Sequence, residues 1–116
     1  MEQALTSLDA TAQAELVRRK EIQPSELVDA AIQRIERLNP ALNAVVTPIF
    51  EQAREAARGV LPEGPFTGVP FLLKDVLAEL AGVRMTEGSR FLADFVSGND
   101  QELVARHKRA GMVILG

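Results

Sequence analysis

Cysteine is absent from the 116 residues, so the chain can form no disulfide, no thiolate metal site and no cysteine nucleophile. Histidine is scarce: His107 stands alone, and one imidazole cannot make a zinc site. No stretch approaches the ~20 apolar residues that a bilayer core demands, which argues against a membrane span. Positive charge is not in excess. Thirteen Lys and Arg against sixteen Asp and Glu leave a net charge of -3, with no pull toward phosphate backbones or anionic lipid surfaces, so nucleic acid and membrane are not expected partners. The N-terminus also lacks the basic start and apolar run of a secretory signal, because Glu2, Asp9 and Glu15 interrupt it. A cytoplasmic protein without metal or cofactor is the default expectation.

What is present is ordinary. A hydrophobic fraction of 47% and a charged fraction of 25% suit a folded chain, and the length suits one domain with one modest core. The first half reads as helical. Asp9 can cap a helix carrying Ala12, Leu16 and Val17, which fades before Pro24. Pro24 suits the first position of a second helix, where its missing N–H removes nothing. Leu27, Val28, Ala31, Ile32, Ile35 and Leu38 then recur at helical spacing until Asn39-Pro40, where the helix is expected to stop. The Val45-Val46 pair favours a strand over Leu42 to Val46. Thr47 as cap and Pro48 at the first position would open a third helix, with Phe50, Ala53 and Ala57 as its buried stripe and Gly59 as its end. Glycine and proline crowd the chain from Gly59 to Pro70, an irregular connection.

The second half carries two apolar runs. Val69 to Leu73 reads as a strand covered on both faces, with Lys74-Asp75 at its C-terminal edge. Ala78 to Asn99 reads as loop with one short helical turn around Ser89 to Phe95. Asn99 or Asp100 would cap a helix bearing Leu103, Val104 and Ala110, closed by Gly111, and Val113-Ile114-Leu115 is the second strand. Strand, crossover, helix and strand make a parallel pair. The sequence stops just after its most buried-looking strand, which points to the opening piece of a larger α/β protein. Unpaired strand edges on such a piece would drive self-association.

Open α/β sheets place their ligand crevice at the carboxyl ends of the strands, where Lys74 falls. If strand geometry continues, Asp75 points to the opposite face. From position alone, a strand-end lysine reaching solvent competes with a buried amine brought down in pKa to act as a general base. Other candidates are weaker. Ser89, in Gly88-Ser89-Arg90, lacks the pattern of a nucleophile elbow and reads as a turn or cap serine. Ser25 and Ser97 lie at a helix start and a glycine turn. His107 borders an apolar helix face, and Arg18-Arg19-Lys20 reads as a solvated helix end.

Three stretches in order narrow this. Gly64-Pro65-Phe66-Thr67-Gly68-Val69-Pro70-Phe71-Leu72-Leu73-Lys74-Asp75, then Met85-Thr86-Glu87-Gly88-Ser89, then Ala110 to Gly116 resemble the amidase signature family, as do Glu26-Leu27-Val28 and Arg34-Ile35 through Asn39-Pro40. The resemblance covers essentially the whole chain. It implies an α/β fold in which N-terminal helices precede part of a mixed, largely parallel sheet covered by helices, with residues 1–116 as the N-terminal part of a single amidase-like domain. It assigns Lys74 to a Lys, cis-Ser, Ser triad that cleaves carboxamide C–N bonds. Both serines of that triad belong to a Gly/Ser-rich segment that the family carries downstream and that this sequence does not contain. A small-molecule amide is then the substrate of the full-length parent, and the chain alone should be inactive. Two alternatives stand beside this: a non-catalytic interaction module derived from an amidase, and the start of the A-type chain of an aminoacyl-tRNA amidotransferase. The stretch from Met85 to Ser89, following the Lys74 strand, is placed to border the substrate cleft.

Overall fold

Helical segments dominate the N-terminal half of the computed structural model, which describes residues 2–116. A short α1 (Glu2–Thr6), which periodicity does not predict, precedes α2 (Ala10–Arg18). Asp9 caps α2 as expected, its carboxylate accepting the Ala12 N–H at 2.8 Å. The helix closes when Lys20 turns left-handed at φ 59°. The Lys20 N–H then bonds the Val17 carbonyl at 2.9 Å and the Glu21 N–H bonds the Leu16 carbonyl at 3.0 Å, the paired pattern of a Schellman motif.

Pro24 opens α3 (Pro24–Leu42), and the Glu26 side chain accepts the Gln23 N–H at 2.8 Å. The helix does not stop at Asn39-Pro40. Pro40 sits in the last turn, where the loss of one hydrogen bond is tolerated, and the Asn43 N–H still reaches the Asn39 carbonyl at 2.7 Å. Nor is Leu42 to Val46 a strand. The Asn39 amide ties the middle of that segment instead: its Oδ1 accepts the N–H groups of Ala44 and Val45 at 2.8 and 2.9 Å, and its Nδ2 donates to the Val45 carbonyl at 3.0 Å. The next helix, α4 (Phe50–Arg58), is capped by Ile49 and not by Thr47. Ile49 donates its N–H to the Leu115 carbonyl at 2.9 Å, which holds the segment beside the second strand and delays the helix start.

The sheet is a parallel pair, β1 (Pro70–Phe71) and β2 (Val113–Ile114), with Pro70 opposite Val113 and Phe71 opposite Ile114. β1 is shorter than the apolar run from Val69 to Leu73. Strand-like bonds nevertheless continue, from Val113 to Val69, from Leu115 to Phe71 and from Leu73 to Gly116, each 2.9 Å. β2 is covered on both faces. Val113 and Leu115 pack with Val28 and Ile32 of α3 and Ala53 and Ala57 of α4, while Ile114 packs with Leu80 and with Val104 of α5 (Glu102–Arg109). The same expectation fails for the run from Val69 to Leu73, where Pro70 and Phe71 of β1 are half-buried and Leu72 beyond it is exposed. Gly111, at φ +93°, lets the crossover pass against the Gly64-to-Gly68 turn: a Cβ there would lie 2.5 Å from Thr67 Cα.

Between the strands the chain is irregular, as expected, with a 3-10 turn at Arg90–Leu92 capped by the Ser89 hydroxyl, which accepts the Phe91 N–H at 3.2 Å. An antiparallel bridge joins Arg84 to Val96, a pairing that no local signal marks. α5 is capped by Gln101, neither by Asn99 nor by Asp100. The Asp100 carboxylate is taken elsewhere, by Lys108 Nζ at 2.7 Å and by the Ala81 N–H at 2.9 Å. No helix among the described residues is long and apolar enough to cross a membrane.

Candidate active site

The carboxyl ends of both strands meet a cleft of about 160 Å³, lined by Val45 to Thr47, by Leu72 to Asp75, by Val83 to Met85 and by Gly116, with Ala44, Ala78 and Leu80. This is where a parallel sheet presents ligands. Its walls are largely apolar, and the charged groups on them are Lys74, Asp75 and Arg84. Lys74 reaches the cleft because the Leu73 N–H bonds the Gly116 carbonyl and so carries the strand direction up to the lysine. Its side chain is exposed, and no hydrogen bond or ion pair ties it to another described residue.

Asp75 departs from the alternation expected of a strand. The chain turns at Asp75, Leu77 adopts φ 57°, and both Lys74 and Asp75 line the same cleft. The Asp75 carboxylate is fully engaged. Its Oδ1 accepts the Thr86 N–H at 2.6 Å and its Oδ2 accepts the Thr86 hydroxyl. Burial alone would raise this carboxyl, but the Thr86 hydroxyl, the N–H groups of Thr86 and Glu87 and the Arg84 charge outweigh it and hold it below its ordinary value. Thr86 in turn accepts the Gly88 N–H at 3.1 Å, which shapes a turn with Glu87 and Gly88 both left-handed.

The other sequence candidates lie outside the cleft. Ser89 caps the 3-10 turn. The buried Ser97 hydroxyl lies 3.0 Å from Glu79 Oε2 and 2.9 Å from the Asn99 carbonyl, bracing the irregular region, and Ser25 is half-buried at the start of α3. His107 packs against Phe71 with the ring centroids 4.6 Å apart and the planes tilted by 42°, a packed histidine. Arg18 and Arg19 both pair with Glu15 on the surface of α2. Sequence reasoning missed the wall from Val45 to Thr47, since those residues read as a strand and a cap, and it missed the partner of Asp75. A carboxylate directly after the strand, followed by a Thr-x-Gly turn, is the signal that could have found it.

The amidase family model matches residues 26–116. The chain belongs to the amidase family. It is 43% identical over 110 residues to the 6-aminohexanoate-cyclic-dimer hydrolase of Pseudomonas sp. (strain NK87), covering 93% of this chain and 22% of that protein. It is 41% identical over 104 residues to the lipoamidase of Enterococcus faecalis, covering 89% and 14%, and 44% identical over 110 residues to the A-type chain of the glutamyl-tRNA(Gln) amidotransferase of Moorella thermoacetica, covering 89% and 22%. Among solved structures, 6-aminohexanoate cyclic dimer hydrolase complexed with substrate superimposes with a TM-score of 0.86 at 42% identity, over 94% of this chain and 23% of that one. This amidase-family chain therefore spans 14 to 22% of the length of these curated relatives.

Proposed function

We propose that this chain is the lysine-bearing, N-terminal part of a single amidase domain that hydrolyses carboxamide C–N bonds. The observation that carries the proposal is the position of Lys74, exposed and without a partner among the described residues, in the cleft at the carboxyl ends of the two parallel strands. Family resemblance supplies the rest. A neutral Lys74 amine accepts a proton from a bridging cis-serine, which accepts one from the nucleophilic serine as its oxygen bonds the amide carbon. The C–N bond then breaks, the proton returns to the departing amine, and water releases the acyl group from the serine. Both serines lie in the Gly/Ser-rich segment of a longer protein. The apolar walls from Val45, Leu72, Leu80, Val83 and Met85 suit an amide with an aliphatic flank, the class to which 6-aminohexanoate cyclic dimer belongs. Similarity to the glutamyl-tRNA(Gln) amidotransferase supports a second reading, in which the same lysine serves ammonia release from an amide for transfer to an aminoacyl-tRNA. Hydrolysis of small amides by the full-length protein, without partner chains, separates the two.

The test is turnover in that full-length protein. Lys74→Ala is expected to remove most of kcat while leaving the melting temperature close to the parent's. Lys74→Arg should fail equally, because a guanidinium does not give up its proton at working pH. Near-normal turnover in Lys74→Arg would overturn the assignment. The 116 residues alone should show no hydrolysis above background, and their exposed Leu42, Leu72, Leu77 and Phe91 should make them self-associate. A monodisperse monomer by light scattering, or amide turnover abolished by Lys74→Ala, would sink these expectations.

A further inference from the structure

Lys74 is an exposed, flexible side chain, yet a base must stand within about 0.5 Å of its working position. Its backbone supplies the fixity. On one side the Leu73 N–H is bonded to the Gly116 carbonyl at the end of β2. On the other, Asp75 grips Thr86 through both carboxylate oxygens, to its N–H at 2.6 Å and to its hydroxyl. Thr86 belongs to a braced structure. The Met85 N–H bonds the Phe95 carbonyl at 3.1 Å, Arg84 bridges to Val96, and the Ser97 N–H bonds the Val83 carbonyl at 3.2 Å. Val83, Arg84 and Met85 are the only part of the cleft lining next to this grip, which otherwise bears on the lysine. It has a further consequence for charge: with both oxygens occupied by Thr86, the carboxylate next in sequence to Lys74 forms no ion pair with it.

We propose that Asp75 and Thr86 form a clasp that positions Lys74 for proton transfer, with Thr86 as the positioning residue on the far side and Asp75 as its anchor. This rests on Lys74 being the base. The clasp acts on the chemical step, since it places the base and leaves most of the apolar lining of the cleft untouched, so its loss reads in kcat more than in KM.

In the full-length hydrolase, Thr86→Val keeps the shape and removes the hydroxyl, and is expected to lower kcat at least about tenfold with KM within about threefold. Thr86→Ser restores the hydroxyl and should recover turnover to within about threefold of the parent. Asp75→Asn preserves an acceptor for the Thr86 N–H and a donor toward its hydroxyl, so it should retain more turnover than Asp75→Ala and keep the parent's pH profile. Melting curves on all four, with amide exchange at Thr86, exclude global unfolding. Normal kcat in Thr86→Val, a loss confined to KM, or a Thr86→Ser variant as slow as Thr86→Val would overturn the clasp. Abolished turnover in Asp75→Asn would overturn it too, by making the carboxylate itself the base. The parallel Lys74→Ala measurement keeps the two proposals apart: a dead Lys74→Ala beside a normal Thr86→Val sinks the clasp alone, whereas an active Lys74→Ala sinks the assignment of the base.

Discussion

The N-terminal helices and the irregular stretch between the strands are held by opposite means. Between α3 and α4 the contact is mainly apolar: Val28, Ile32, Ala53 and Ala57 close against Val113 and Leu115, and one ion pair, Arg54 Nε to Asp29 Oδ1 at 3.1 Å, joins the two helices. From Lys74 to Gln101 secondary structure is scarce, and polar side chains tie backbone to backbone. Asp75 holds Thr86, Ser97 meets Glu79, and Asp100 bridges Ala81 and Lys108. The first region resists change through volume, the second through individual hydrogen bonds. A single substitution therefore does different damage in each.

The largest expected effect is in the helical region. Ile32 is 0% exposed, and Ile32→Ala should cost about 3 kcal/mol, read as a fall in the urea midpoint of the full-length protein. A loss below about 1 kcal/mol would mean that this packing is looser than its burial implies. Next is the clasp. Thr86→Val should cost about 1–2 kcal/mol, with increased amide exchange confined to the irregular stretch. If protection fell equally in α3, the two regions would be one cooperative unit and the contrast would fail.

The smallest and most selective effect is that of acid. The Asp75 and Asp100 carboxyls both lie below the ordinary value of 3.8, Asp75 for the reasons above and Asp100 through the Lys108 ammonium and the Ala81 N–H. A carboxyl depressed by folding contributes stability that is present in full above its unfolded value and lost as pH falls through its folded one. Amide exchange should therefore rise in the irregular stretch as pH drops below about 4, while α3 and α4 keep their protection. Loss of α3 first would reverse the assignment of what holds each part.

The same contrast explains which features are legible in the sequence. Period 3.6 from Leu27 to Leu38, the Asp9 cap, Pro24 at a helix start and two apolar runs are local signals, and each marks an element that the structure contains. The reading fails where a polar side chain competes with local preference. β-branched Val45 and Val46 favour a strand, but the Asn39 amide occupies the backbone groups a neighbouring strand would need. Asp100 and Thr47 have the chemistry of caps, but Asp100 is claimed by Lys108 and Ala81, and Ile49 is drawn to Leu115. Lys74 can be placed at the sheet edge from its apolar run. Its neighbour's bond to Thr86 cannot, since periodicity carries no information about a polar contact formed across a turn.

Parallel pairing of Pro70 with Val113 has a kinetic corollary. The two strands can meet only after the entire irregular stretch and α5 have been drawn into a closed loop, whereas α3 and α4 are neighbours along the chain and share short-range contacts. Loop closure imposes its entropy before the strand bonds form, so the helical pair is the natural nucleus and the sheet the late step. In pulse-labelling during refolding, the amides of Val28 and Ala57 should become protected before those of Val113 and Leu115, and the cleft bearing Lys74, assembled from both strand ends, should be the last feature to appear.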